Sequence, residues 1–176
     1  MRTFIALELP DAFVDDVAAV ARQLKDLVPG RFMARGTYHV TLAFLGEVDE
    51  AGVQKASEAI EAACAGRGPV PVRSDGLGKF GRASDATLWL GLAREPALME
   101  LAAAVRGELD ARGVSYDGKA FKPHLTLARR AKIPQGELPT IAFPADDEAR
   151  RVVLFKSTLS QQGASYKELH VVELED

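Results

Sequence analysis

The chain has 176 residues, 47% hydrophobic and 27% charged, with a formal net charge of −3 and a pI near 5.7. That balance excludes a protein that coats long nucleic acid, because non-specific affinity is mostly phosphate neutralisation by Lys and Arg, yet a few local charges suffice to grip one phosphate in a cleft. The single cysteine, Cys64, excludes an intramolecular disulfide, and no run approaches the roughly twenty apolar residues that span a bilayer.

Thr3 to Leu9 is a short apolar run, reaching Glu8, Pro10 and Asp11 too soon for a signal peptide, and is predicted as a buried strand. Pro10 and Asp11 open a helix in which Val14, Val17, Val20, Ala21, Leu24 and Leu27 recur at three- and four-residue steps until Pro29-Gly30. Tyr38 to Leu45 is a second strand, closed by Gly46. A helix follows Asp49, with Val53, Ala56 and Ile60 facing inward and Cys64 as a small core residue near its end. Val70 to Leu77 is predicted as a strand and Gly76 to Gly81 as a glycine-rich turn.

The pattern then restarts. Thr87 to Leu92 repeats the character of Thr3 to Leu9, and a helix with Leu98, Leu101, Val105 and Leu109 on one face runs to Gly113. A strand follows from Phe121 to Ala128. Asp146 to Glu148 is expected as a solvated turn, and two last strands, Arg151 to Ser160 and Tyr166 to Leu174, are joined at Gln161-Gln162-Gly163. Thr87 lies 84 residues after Thr3, and His124 lies 85 after His39. An offset this long and this constant indicates two duplicated lobes rather than a solenoid. No linker rich in Pro, Gly or Ser separates them, so residues 1–176 read as a single two-lobed domain, taken as a cytoplasmic monomer with no membrane contact and no obligate protein partner.

Chemistry is carried by His39-Val40-Thr41-Leu42-Ala43 and His124-Leu125-Thr126-Leu127-Ala128. Strand side chains alternate faces, so each strand buries an aliphatic side and presents one imidazole and one hydroxyl on the other. In-line hydrolysis of a cyclic phosphodiester needs a base for water and an acid for the departing oxygen. Histidine serves either role near neutrality, and threonine hydroxyls can donate to the non-bridging oxygens. One H-x-T strand is weak evidence; two in a duplication use two of only three histidines. The third, His170, has no following threonine and reads as structural. No His, Cys or carboxylate set has metal-ligand spacing, so no cofactor is expected. Strand parity turns Arg129 away from His124 unless the strand ends or twists there. Trp89, opposite in parity to Leu88 and Leu90, either stacks on a terminal base or packs in the core.

Tyr38-His39-Val40-Thr41-Leu42-Ala43-Phe44-Leu45-Gly46 and Lys122-Pro123-His124-Leu125-Thr126-Leu127-Ala128-Arg129 resemble the signature strands of the RNA 2′,3′-cyclic phosphodiesterases, or 2′-5′ RNA ligases, of the two-histidine phosphoesterase superfamily. The resemblance extends to Arg2-Thr3-Phe4-Ile5-Ala6-Leu7 and to Leu159 through Tyr166. It implies an α+β, bilobal duplicated fold, with two antiparallel sheets flanking a central cleft and helices on the outside. It also implies metal-independent opening of RNA 2′,3′-cyclic phosphate ends to 2′-phosphates, with reversible 2′-5′ ligation as a side activity. RNA termini or short oligonucleotides would be the partners. His39 matches the proton donor, His124 the proton acceptor, Thr41 and Thr126 the phosphate-binding threonines, and Arg129 a basic residue supporting the phosphate. The competing readings are a phosphodiesterase for another cyclic phosphate or a 2′-5′ oligonucleotide, and a non-catalytic RNA-end binding module.

Overall fold

The computed structural model describes residues 1–175 and has the expected α+β architecture of two antiparallel sheets. The strands are β1 (Arg2–Glu8), β2 (Arg31–Phe32), β3 (His39–Glu47), β4 (Val70–Val72), β5 (Ser74–Arg82), β6 (Asp85–Leu92), β7 (His124–Ala131), β8 (Asp147–Ala149), β9 (Arg151–Ser160) and β10 (Gly163–Glu173). The helices are α1 (Asp11–Lys25), α2 (Glu50–Cys64) and α3 (Pro96–Ala111). One sheet has the order β10-β9-β1-β3 and the other β2-β7-β6-β5, with β4 and β8 forming a separate pair. Helix, then strand, follows β1 in one lobe and β6 in the other, so β1 answers to β6 and β3 to β7.

Local signals set the helix ends. Pro10 precedes α1 in extended conformation, and Arg22 and Lys25 lie in the last turn, where cations favour the helix dipole. Asp49 caps α2 by accepting from the Gly52 amide at 2.8 Å. Beyond α3, Gly113 adopts φ +69, and Val114 N–H returns to the Leu109 carbonyl at 3.0 Å, a left-handed stop that favours glycine.

β1 is apolar from Phe4 to Leu7 because both of its faces are covered there. Ile5 and Leu7 join the main core with Val17, Leu24, Ile60, Leu88, Leu101, Leu125 and Leu154, so one buried cluster draws on both lobes and all three helices. Phe4 and Ala6 face the other way and build a second cluster with Val153 and Phe155, against which Phe44 and Tyr166 pack. That second layer lies on the cleft side of the first sheet.

Two expectations are corrected here. The glycine-rich stretch from Gly76 to Gly81 lies within strand β5, paired with β6. Glycine is needed at Gly78 because a Cβ there would run into the Trp89 indole, which lies across it. Asp146 to Glu148 is not simply a turn, since Asp147–Ala149 pairs with Val70–Val72. No helix among the described residues is long and apolar enough to cross a membrane.

Candidate active site

Each histidine opens its strand, and each strand carries one extra residue just after its threonine. Ala6 pairs with Thr41 but Ile5 with Ala43; Trp89 pairs with Thr126 but Leu88 with Ala128. Leu42 and Leu127 are the inserted residues of two β-bulges. Leu42 with Ala43, and Leu127 with Ala128, therefore turn two consecutive side chains into the core. Past the bulge the parity is inverted, so Phe44 joins His39 and Thr41 on the cleft face, and Arg129 joins His124 and Thr126. The parity argument that turned Arg129 away thus fails for a definite reason, a residue-long insertion that simple alternation does not register. The 85-residue step from His39 to His124 also relates Phe44 to Arg129.

The two sheets meet along β3 and β7. Between them is a hollow of about 360 Å³, lined by Thr41, Phe44, Phe80, Phe121, Lys122 and His124 among others. His39 stands two residues before Thr41 on the same face of β3, half-buried, its ring 4.6 Å from that of Phe155 and 5.7 Å from that of Tyr166. Its Nδ1 is buried with no hydrogen-bond partner of proper geometry. Burial lowers its pKa to about 4, and the nearby Thr37 backbone offsets only part of that, so His39 is neutral in the free cleft.

His124 is held differently. Its Nδ1 lies 2.5 Å from the Lys122 carbonyl. A carbonyl only accepts, so Nδ1 carries the proton and the neutral ring offers Nε2 as a proton acceptor. Phe80 meets this ring edge-on at 5.3 Å, and Trp89 lies at 5.9 Å. Trp89 is therefore a cleft residue beside His124, outside the main core, and the Lys122 ammonium sits 4.5 Å above its ring.

Tyr166 faces the same space from β10. Burial raises its hydroxyl pKa, opposed by the positive charges of Arg129 and Arg2, which places Arg129 of one lobe close to a tyrosine of the other. Structure thus brings His39, Thr41, His124, Thr126 and Arg129 onto facing sides of one cleft. It leaves His170 out: on the core side of β10, its Nε2 contacts Glu61 of α2 at 2.9 Å. Cys64 is buried, and burial pushes its thiol up to about 11, so it is an inert core residue. Among the described residues no group of three or more His, Cys, Asp or Glu converges as a metal site.

One residue of consequence was not singled out from the sequence. From α3, Arg106 donates through Nε to the Leu42 carbonyl at 3.1 Å and through Nη1 to the Lys119 carbonyl at 2.7 Å. The Asp117 amide also donates to the Phe44 carbonyl at 2.8 Å. Arg106 so ties the bulge of β3 to the loop whose Lys122 carbonyl orients His124. Its position on a polar-faced stretch of an alanine-rich helix gave no signal, because its partners are backbone atoms brought close only by folding.

The family profile described as the 2′-5′ RNA ligase superfamily matches residues 8–171. The RNA 2′,3′-cyclic phosphodiesterase of Thermotoga maritima is 34% identical over 184 residues, covering 99% of this chain and 96% of the relative. The Archaeoglobus fulgidus protein of the same name is 29% identical, covering 98% of this chain and 100% of the relative. Among solved structures, TT0787 of Thermus thermophilus superposes with a TM-score of 0.85 at 26% identity, covering 99% of this chain and 98% of the other. Escherichia coli LigT complexed with 3′-AMP gives 0.79 at 26% identity, with the same coverage. These matches run through both lobes and both histidine strands, and the chain belongs to the 2′-5′ RNA ligase superfamily.

Proposed function

We propose that residues 1–176 act as one two-lobed unit that hydrolyses RNA 2′,3′-cyclic phosphate ends to 2′-phosphates by paired-histidine acid–base chemistry, without a metal. The observation that carries the reading is the repeated His–x–Thr strand with its bulge, which sets an imidazole, a hydroxyl and one further side chain on each side of the cleft. The named relatives are RNA 2′,3′-cyclic phosphodiesterases, which supports this enzyme class for the chain.

In this reading His124 Nε2 takes a proton from water as the oxygen attacks phosphorus. The P–O3′ bond breaks on the opposite side, and His39 gives its proton to the departing 3′ oxygen. Thr41 and Thr126 donate to the non-bridging oxygens, and Arg129 supports their charge. The donor role requires a protonated His39, which burial disfavours in the free cleft. Substrate supplies the remedy. A phosphate charge about 4 Å away is worth about 4 kcal/mol at an effective dielectric of about 20, which lifts a histidine pKa by about three. His39 therefore takes up its proton as the anion binds.

The test is to incubate a short RNA ending in 2′,3′-cyclic phosphate with the protein in EDTA and identify the product. A 2′-phosphate is expected. Loss of activity in chelator, restored by zinc or manganese, overturns the metal-free mechanism; binding without turnover at any pH overturns the enzyme in favour of an RNA-end binding module.

A further inference from the structure

We propose that Arg2 and Arg31, with the Tyr166 hydroxyl, form a second phosphate subsite beside the catalytic one. It would take the phosphodiester that precedes the cyclic end, so that the preferred substrate is an oligonucleotide rather than a cyclic mononucleotide. The proposal rests on the cyclic phosphodiesterase reading and extends it along the RNA.

Arg2 lies on the cleft face of β1, and its guanidinium is 5.0 Å from the ring centre of Phe44, which lines the hollow with Thr41 and His124. Tyr166 joins the two regions. Its ring is edge-on to Phe4 at 4.8 Å and 5.7 Å from the His39 ring, and its hydroxyl feels both Arg2 and Arg129. From the other sheet, Arg31 pairs in register with Arg129. Its Nη2 reaches toward the β9–β10 turn, where a Cβ added at Gly163 would lie 3.8 Å away. Cations from both lobes thus converge on one end of the cleft.

Five arginines pair with a carboxylate among the described residues, and the three at this end of the cleft are among those that do not. Arg35, Arg73, Arg112, Arg150 and Arg151 each pair with Asp or Glu. Among the described residues, no ion pair is formed by Arg2, Arg31 or Arg129. In a chain with 25 acidic and 22 basic residues, Arg2 and Arg129 beside one tyrosine, with Arg31 in register next to Arg129, repel one another until an anion joins them. The catalytic phosphate has Thr41, Thr126 and Arg129. Arg2 and Arg31 are charge in excess of it, and guanidinium matches phosphate geometry.

Three substrates with the same terminal nucleoside decide the matter: a nucleoside 2′,3′-cyclic phosphate, a dinucleotide ending in it, and that dinucleotide with an uncharged methylphosphonate at the internal linkage. The charged dinucleotide is expected to exceed the methylphosphonate in kcat/KM by about tenfold or more, the scale of one charge-assisted hydrogen-bonded pair. Its advantage should fall more steeply with salt. The double variant Arg2→Gln, Arg31→Gln should abolish the difference. Equal rates on the charged and uncharged dinucleotides overturn the proposal, as does a preference that survives the double variant. Should that variant not fold, the wild-type comparison and its salt dependence still decide. No turnover of any of the three overturns the phosphodiesterase reading itself, and this proposal with it.

Discussion

In one half of the cleft, His39 is wedged between Phe155 and Tyr166, with a buried Nδ1 that has no partner and a pKa lowered to about 4. In the other half, His124 keeps its Nδ1 on the Lys122 carbonyl at 2.5 Å and meets Phe80 and Trp89 at their rings. The strands beneath are near copies, down to the bulge. What differs is what the neighbouring strands bring. Beside Thr41 stands Ala6 and beside Thr126 stands Trp89; past the bulge one strand offers Phe44 and the other Arg129. Duplication supplies two imidazoles at matching places, and divergence around them tethers one ring through Nδ1 and desolvates the other. The proposed mechanism uses the first as proton acceptor and the second as a donor charged by the bound anion.

The hardest way to break this comparison is to remove either ring. His39→Ala and His124→Ala should each slow turnover by at least about a hundredfold, the usual scale for one general acid or base. The double variant should lose much less than the product, because groups acting as a unit are not additive. His170→Ala should keep most activity in the same assay, since that ring faces Glu61. An inactive, folded His170→Ala protein would put a third imidazole in the reaction.

The hydroxyls come next. Thr41→Val and Thr126→Val should each lower kcat/KM by about ten- to a hundredfold, the worth of a hydrogen bond to a charged oxygen. The shape of the pH profile should survive both changes, because neither threonine titrates. A displaced limb would mean that a threonine tunes a histidine rather than holding phosphate.

Arg106 sharpens the comparison from a distance, since it ties β3 to the loop that orients His124. Arg106→Met should lower kcat by about three- to tenfold, in line with two ordinary hydrogen bonds, with KM moving less than kcat. Arg106→Lys should recover only part, because an ammonium cannot reproduce the planar fork. Equal recovery by lysine would make the residue a charge rather than a clamp.

Much of this architecture was legible in the residues. The duplicated apolar strands, the helix starts at Pro10 and Asp49, the stop at Gly113 and the two H-x-T pairs all depend on short-range signals, and all are where the sequence puts them. Longer-range contacts were not readable. Gly76 to Gly81 is strand because Trp89 needs a neighbour without a side chain at Gly78. Arg129 reaches the cleft because Leu127 is inserted opposite β6. Arg106 matters through two carbonyls that only folding brings near. In each case the deciding partner lies on another strand or loop.

The smallest expected effect is on stability. His39 binds its proton more weakly folded than unfolded, so the unfolded chain holds more protons between about pH 6.5 and 4. Stability should therefore fall as pH drops through that window, and His39→Asn should remove that part of the slope in denaturant titrations at several pH values. An unchanged slope would mean that the ring is not desolvated.

Activity carries the same mark. The kcat/KM profile should be bell-shaped, its limbs belonging to the coupled pair in the free enzyme. The acidic limb should lie near pH 4, far below an ordinary histidine. An acidic limb at about 6 to 6.5 would mean that burial does not hold His39 below the ordinary histidine range.

The central claim is that phosphate recharges His39, and NMR titration of the two imidazoles tests it most directly. The nitrogen and carbon-bound proton signals of His39 and His124, assigned through the single variants, would be followed with pH in free protein and with a nucleoside 2′-phosphate bound. His39 is expected to titrate at about 4 when free and to rise toward neutrality in the complex, while neutral His124 keeps its proton on Nδ1. A free His39 that titrates in the ordinary range, or one that product leaves near 4, would contradict the account.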